Sequence, residues 1–393
     1  MKQYTKAKAL LESLKRIPDY RVDIGKIEYP LAEILFMVVF ALLKGNTKFK
    51  EIFGWMIYNK DNIALKEIFK KDEVKIPSKS TLHNILTNTD NNALEKVFRD
   101  YFSNYVKKEN IAIDGKWLNG SDVNGQYTNE CHKAVLNILD KDTKIVFAHK
   151  FMAKNKESEI TALKQAFNED DLFSDEGQIF SFDAIQTQTE ILNNIDNNGD
   201  KYIAKVKDNQ RGLKKKLIET IESYKKPIDS YSFEDDVLSC GKKYVKREVE
   251  IFYSPSIDIA MHDNRFNNIQ TLIRVNKTLT DPKTKKQTLQ DEYLIANFRT
   301  TAEDFYNKII SHWRVETYHY HLDMLMDEDE HIAYKEPYSI AILRSFALNL
   351  FQLYHNKNKG KKLPTGKVTM AEIKRTCKYD DSFTAELFEQ EYV

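Results

Sequence analysis

NIAIDGKWL, residues 110–118, decides the fold. Apolar residues run into a single acid, Asp114, and a glycine, a lysine and a tryptophan follow at once. The run is too short for a helix and has the look of a buried strand. A lone carboxylate at the end of such a strand costs several kcal/mol or shifts its pKa, so Asp114 calls for a counter-charge.

Two more runs follow, CHKAVLNILD (131–140) and TKIVFAHKFM (143–152). The gaps are NGSDVNGQYTNE (119–130), rich in turn formers, and the tight polar DKDT (140–143). Three consecutive antiparallel strands are the expectation. KESEITALKQAF (156–167) reads as a helix, GQIFSFDA (177–184) as a strand ending in Asp183, QTQTEILNNID (186–196) as a helix, and DKYIAKVKDNQ (200–210) as a strand. The order strand, strand, strand, helix, strand, helix, strand is that of a ribonuclease H-like α/β domain, a mixed sheet with flanking helices.

Residues 1–108 have helical periodicity and read as a helical N-terminal domain, either a helix-turn-helix-like unit for binding DNA or a helical lid on the next domain. Leu31–Leu43 is its most apolar stretch, shorter than the roughly 20 residues of a membrane span. Residues 109–210 form the first part of the catalytic core. Residues 211–300 read as a β-rich insertion, with TDPKTKKQT (280–288) as a hairpin turn. Residues 301–356 return to helical pattern and complete the core. HNKNKGKKLPTGK (355–367) has five lysines and no acid. Residues 357–393 therefore read as a basic linker and tail, ending in a short helix.

Sixty Lys and Arg against 59 Asp and Glu leave a net charge of +1, so any DNA surface must come from local clustering. Cys131, Cys240 and Cys377 lie far apart, which excludes a Cys-rich zinc module and fits a reducing, cytoplasmic setting. The N-terminus is not a signal peptide, because charges interrupt it every few residues.

In a ribonuclease H-like sheet the strands ending in Asp114 and Asp183 are neighbours. Glu316, mid-helix in SHWRVETYHYHL (311–322) among aromatics, is the best third acid. The spacings are 316 − 183 = 133 and 183 − 114 = 69 residues, the longer one containing the insertion. Such carboxylates make a hard oxygen site for Mg²⁺ or Mn²⁺. Taken singly, Asp114 or Asp183 could equally cap a helix or fix a turn.

LLESLKRIPDYRVDIGKIEYPLAEIL, KIPSKSTLHNIL, IAIDGKWLNGS, ESEITAL, FSFDAIQTQTEI, GDKYIAKVKDNQ, HWRVET and AILRSFALNL occur in that order over residues 10–355. Together they resemble the motifs of bacterial insertion-sequence DDE transposases of the H-repeat-associated type. The resemblance implies a ribonuclease H-like catalytic domain, metal-dependent cleavage at element ends and strand transfer into target DNA. It maps the catalytic and metal-binding acids onto Asp114, Asp183 and Glu316, which would hold two Mg²⁺ or Mn²⁺ ions. It also implies terminal inverted repeats and target DNA as partners, a homodimer on DNA, a place with the nucleoid, and no membrane. Related families carry Arg four residues before the glutamate and Lys seven after it; here His312 and Asp323 stand there.

Lys116, Lys205, Lys207, Asn209, Gln210, His312, Trp313 and Arg344 are candidate DNA contacts. For Lys116 plain solvation is the competing reading, for Trp313 a core position, and for Arg344 a buried acid. Glu159 reads as a helix cap or a neighbour of the metal site. His312, His319 and His321 fit no common zinc spacing. The alternatives to a transposase are a non-transposing DNA-binding derivative and a ribonuclease H-like nuclease.

Overall fold

The structure, a computed structural model, describes residues 4–21, 27–118, 133–152, 157–168, 172–173, 176–234, 244–253, 268–329 and 337–391. The 119–130 gap, Cys131 and Cys240 lie outside these residues. The chain divides into two compact units, one of residues 1–107, 115–158 and 315–393, the other of residues 108–114 and 159–314.

The first unit begins with six helices: α1 (Thr5–Leu14), α2 (Leu31–Leu43), α3 (Phe49–Tyr58), α4 (Ile63–Phe69), α5 (Lys79–Asn88) and α6 (Asn91–Phe102). Every residue of α2 is buried, so its apolar run is a core helix; Pro30 caps its start. Glu33 inside it pairs with Lys71 at 2.7 Å. Among the described residues no helix is long and apolar enough to cross a membrane. Ser78 and Asp90 cap α5 and α6 by accepting from backbone N–H groups, as their types allow.

Strand β1 (Asn110–Leu118) runs through the boundary of the units. In the first unit the order is β3-β2-β1, with β2 (Lys133–Asp140) and β3 (Ile145–Met152) antiparallel.

The second unit holds α7 (Glu157–Phe167) from Glu159 on, β4 (Ile179–Phe182), α8 (Thr189–Asn197), β5 (Lys201–Val206), α9 (Arg211–Ser223), β6 (Asp229–Glu234), β7 (Tyr244–Phe252), β8 (Thr271–Thr280) and β9 (Gln287–Ala296). Its strands run β1-β4-β5-β9-β8-β7-β6. β1, β4 and β5 are parallel and the others antiparallel. The mixed α/β sheet and the order around β1 are those expected from the sequence. The β-rich stretch is not a separate body: after α9, which holds Lys214–Lys216, its strands extend the same sheet through the β5–β9 ladder. At the hairpin turn Asp281 accepts from the N–H groups of Lys283 and Thr284, as an Asx turn should.

Helix α10 (Ala302–Met326) starts at a Thr301 cap, and Asp229 of β6 accepts from the Ala302 N–H. Its first turns, Phe305, Tyr306 and Ile309, pack on Val249, Ile251, Ile273, Val275 and Leu294 of the sheet.

The last elements belong to the first unit: α11 (Tyr338–Asn358), β10 (Lys362–Leu363), β11 (Gly366–Lys367), α12 (Met370–Tyr379) and α13 (Asp381–Glu386). The Asn349 side chain donates to the Val146 carbonyl and accepts from its N–H, locking α11 to β3. Phe346 packs on Phe98 and Phe102 of α6. The basic stretch expected to be an open linker forms the end of α11 and the β10–β11 hairpin, with two helices after it.

Candidate active site

Ile113 pairs with Phe182 at the last rung of the parallel β1–β4 ladder. Asp114 and Asp183 each follow that rung by one residue. Ala112 and Ser181 also pair, and the two-residue period sets Asp114 on the face of Ala112 and Asp183 on that of Ser181. The two acids therefore stand on one face of neighbouring strands. Asp183 follows the end of β4, but Asp114 does not end its strand as the sequence suggested, because β1 runs on past the β1–β4 ladder to Leu118.

Lys207, just past β5, holds Asp183 with its ammonium 3.0 Å from Oδ1 and 3.3 Å from Oδ2. Burial raises the Asp183 pKa, but the Lys207 hydrogen bond, the Ala184 N–H and the charges of Lys207 and Lys205 outweigh it and leave the pKa below the usual carboxylate value. Lys205 itself pairs with Glu292 at 2.9 Å.

The turn after Asp183 is tied down from several sides. Asn209 Nδ2 donates to the Ala184 carbonyl at 2.8 Å, the Gln210 amide to the Thr187 carbonyl, and the Thr187 hydroxyl to the Lys205 carbonyl at 2.8 Å. Asn209 and Gln210, candidates for DNA contact, thus spend these amides on holding the loop that carries Asp183. Glu159 lies close enough to feel the Asp183 charge, and it accepts from Gln186 Nε2 at 2.7 Å. Burial is the main reason its pKa is raised, the Gln186 hydrogen bond opposes it, and Asp183 adds to it.

On α10, His312 Nδ1 lies 2.9 Å from the Ser181 hydroxyl. Glu316 is one helical turn further on and shares its side of the helix. The sequence suggests that aromatics enclose Glu316; instead Val315 and Tyr318 take the inward positions and Glu316 is exposed. Trp313 is neither core nor open surface: the Arg247 guanidinium stands 4.6 Å from its ring centroid and Lys277 Nζ 5.7 Å. His319 meets Asn137 at 2.9 Å, and His321 feels His355 and Lys144 instead. The three histidines do not converge.

Two candidate DNA contacts belong to the interior of the first unit. Lys116 is 7% exposed, and its ammonium lies 2.6 Å from Asp323, 3.5 Å from Asp329 and 3.9 Å from Glu328. Burial lowers its pKa, but the three acids more than reverse that. The lysine is neither solvated nor available to a phosphate, because it neutralises three carboxylates. Arg344 is 4% exposed and donates to the Thr47 carbonyl at 3.2 Å. It lies near enough to Glu328 to pull that acid's pKa down, which accords with the buried-acid reading. Spacing along the chain gave no signal for Glu328 or Asp329.

Glu328 is 3% exposed, and burial pushes its pKa up to about 7 against the pull of Arg344 and Lys116. A folded-state pKa above the unfolded one gives stability that is full below the unfolded value, near 4.5, and lost as pH rises through about 7. Glu328→Gln keeps the shape and removes the titration. Urea unfolding at pH 5 and pH 8 should show the wild type losing up to about 3 kcal/mol more than the variant over that range. Parallel pH profiles would refute the assignment.

Among the described residues no three His, Cys, Asp or Glu side chains are grouped to hold a metal ion. The donor chemistry of Asp114 and Asp183 suits a hard divalent cation, yet the cation on Asp183 is the Lys207 ammonium.

The fold is a ribonuclease H-like mixed α/β sheet, and Asp114 and Asp183 on its neighbouring strands β1 and β4 mark the acidic candidate site. Residues 11–102 match the family described as DDE_Tnp_1-associated. The Escherichia coli "Putative transposase YncI" is 25% identical over 331 residues, covering 82% of this chain and 81% of that protein. "H repeat-associated putative transposase YhhI", also of Escherichia coli, is 25% identical over 335 residues, covering 82% and 84%. A cryo-EM structure of a piggyBac transposase synaptic complex with hairpin DNA aligns at a TM-score of 0.49 and 12% identity, covering 98% of this chain and 77% of that one. The chain is thus similar to the bacterial H repeat-associated transposases, the type its motifs resemble.

Proposed function

We propose that the chain is a DDE-type DNA transposase that cuts insertion-sequence ends and joins them to target DNA. The observation that carries this reading is the parallel pairing of β1 with β4, on which Asp114 and Asp183 each stand one residue past the last rung on the same face; Glu316 is the acid that the HWRVET motif supplies. Asp114, Asp183 and Glu316 are the acids that would hold Mg²⁺ or Mn²⁺. When bound, two such ions supply the Lewis acidity that activates a water or a 3′-hydroxyl and stabilises the leaving oxygen at phosphorus. The chain's own part is to present the carboxylates ionised. Lys207 keeps Asp183 deprotonated, and Asn209, Gln210 and Thr187 hold its loop. Element ends and target DNA as substrates, and a homodimer that synapses two ends, belong to this reading as what the motif resemblance implies.

The test is incubation of wild type with the element's own terminal DNA, with and without Mg²⁺, followed by separation of nicked from joined products. Mg²⁺-dependent joined products are expected. Nicks without joining would mark a nuclease, and binding without either would mark a non-transposing derivative.

A further inference from the structure

The last three turns of α10 carry a stripe that nothing in the proposed chemistry uses. Tyr320 and Met324 are each 58% exposed, where a long ring and a thioether gain least. Residues four apart share a helix face, so Glu316, Tyr320 and Met324 follow one another along the outside of α10. His321 lies next round the helix, three residues before Met324. Burial, with the neighbouring lysines, holds the pKa of His321 and of His355 below the usual imidazole value, so both are neutral N–H donors at neutral pH and the positive charge beside them is that of Lys144 and Lys359. His321 feels the charges of His355 and Lys144, and His355 those of Lys144 and Lys359. Geometry holds that group together: Asn356, beside His355 at the end of α11, donates to the Thr143 carbonyl at 2.6 Å, next to Lys144. All these residues belong to the first unit.

An exposed ring and a polarisable side chain, with Lys144, Lys359 and the imidazoles along one flank and a carboxylate at one end, match the two faces of a single nucleic-acid strand. Bases stack on aromatic and sulfur-bearing groups while phosphates follow positive charge. We propose that Tyr320 and Met324 form a base-stacking step, and Lys144, His321, His355 and Lys359 a phosphate rail, for a single DNA strand running past Glu316. The proposal deepens the transposase reading and rests on it: a strand end freed from its duplex needs a hold beside the carboxylate that acts on it.

The test uses the full chain in EDTA, so that no cleavage occurs, and two fluorescent probes of about 12 nucleotides, oligothymidine and a wholly abasic deoxyribose-phosphate chain. Wild type should bind oligothymidine about tenfold more tightly than the abasic chain. Tyr320→Ala with Met324→Ala should erase that preference, and Tyr320→Phe should keep it. Lys144→Ala with Lys359→Ala should weaken both probes alike and flatten the salt dependence. Equal binding of both probes by wild type, binding of neither, or an unchanged preference in the Tyr320→Ala, Met324→Ala variant would each overturn the proposal. So would a wild-type dimer that this double variant dissociates while the base preference stays, since the stripe would then meet a second copy. If wild type cuts element ends but the double variant keeps its preference, only the strand track falls. If the preference is present but no cleavage occurs, only the transposase reading falls.

Discussion

Asp183→Asn should reduce Mg²⁺-dependent cleavage of element ends at least about a thousandfold, the equivalent of some 4 kcal/mol of barrier. Asp114→Asn and Glu316→Gln should do the same. The amide keeps the shape of the carboxylate and loses the charge on which metal binding depends. Stability gives the control. The Asp183–Lys207 pair is about half exposed on both sides, and such pairs contribute between 0 and 1 kcal/mol. Asp183→Asn should therefore melt within a few degrees of wild type. A variant that loses activity because it unfolds would point to a structural acid, and one that still nicks under Mg²⁺ would remove Asp183 from the centre. Lys207→Ala sharpens the test. Without the ammonium the metal competes with nothing for Asp183, so half-maximal cleavage should come at lower Mg²⁺. A shift to higher Mg²⁺ would mean that Lys207 supports substrate, not the carboxylate.

The parts of the fold that were legible in the sequence are those where one local pattern has one structural outcome. The alternating runs around Asp114 gave β1 to β3, and Asp281 gave the hairpin turn. The strands of 211–300 were readable one by one, but their edge pairing with β5 was not, since ladder partners leave no mark in a single chain. That Asp114 and Asp183 lie on neighbouring strands could be anticipated because strand order implies neighbours; that β1 continues past Asp114 to Leu118 could not. The surroundings of those acids could not. Lys116 follows Asp114 by two residues and looks like a surface lysine; its three acids lie some two hundred residues away. Glu316 sits in an aromatic sequence, yet helical geometry turns Val315 and Tyr318 inward and the acid outward. Asn209 and Gln210 looked available for DNA, and only the loop after Asp183 reveals what their amides do.

Lys116→Met should be among the most destabilising single changes in the first unit. A solvated lysine replaced this way changes stability by less than about 0.5 kcal/mol. Here the ammonium is the cation that Asp323, Asp329 and Glu328 share, and removing it leaves the buried Glu328 facing two acids that are themselves a third exposed, a loss of up to about 3 kcal/mol. The pH dependence carries a sign. Burial already raises the pKa of Asp323, with Asp329 adding to it against Lys116, and that of Glu328. Loss of the lysine raises both further, so the stability they contribute is full at acid pH and disappears as pH rises through their folded-state values. The deficit of Lys116→Met should thus be small at pH 5 and largest at pH 8. Adding Asp323→Asn should recover part of it, since the nearest repelling charge goes with the cation. Urea unfolding of both single variants and the double at the two pH values measures this directly. A deficit below about 1 kcal/mol at pH 8, or one equal at both pH values, would return Lys116 to the solvated surface.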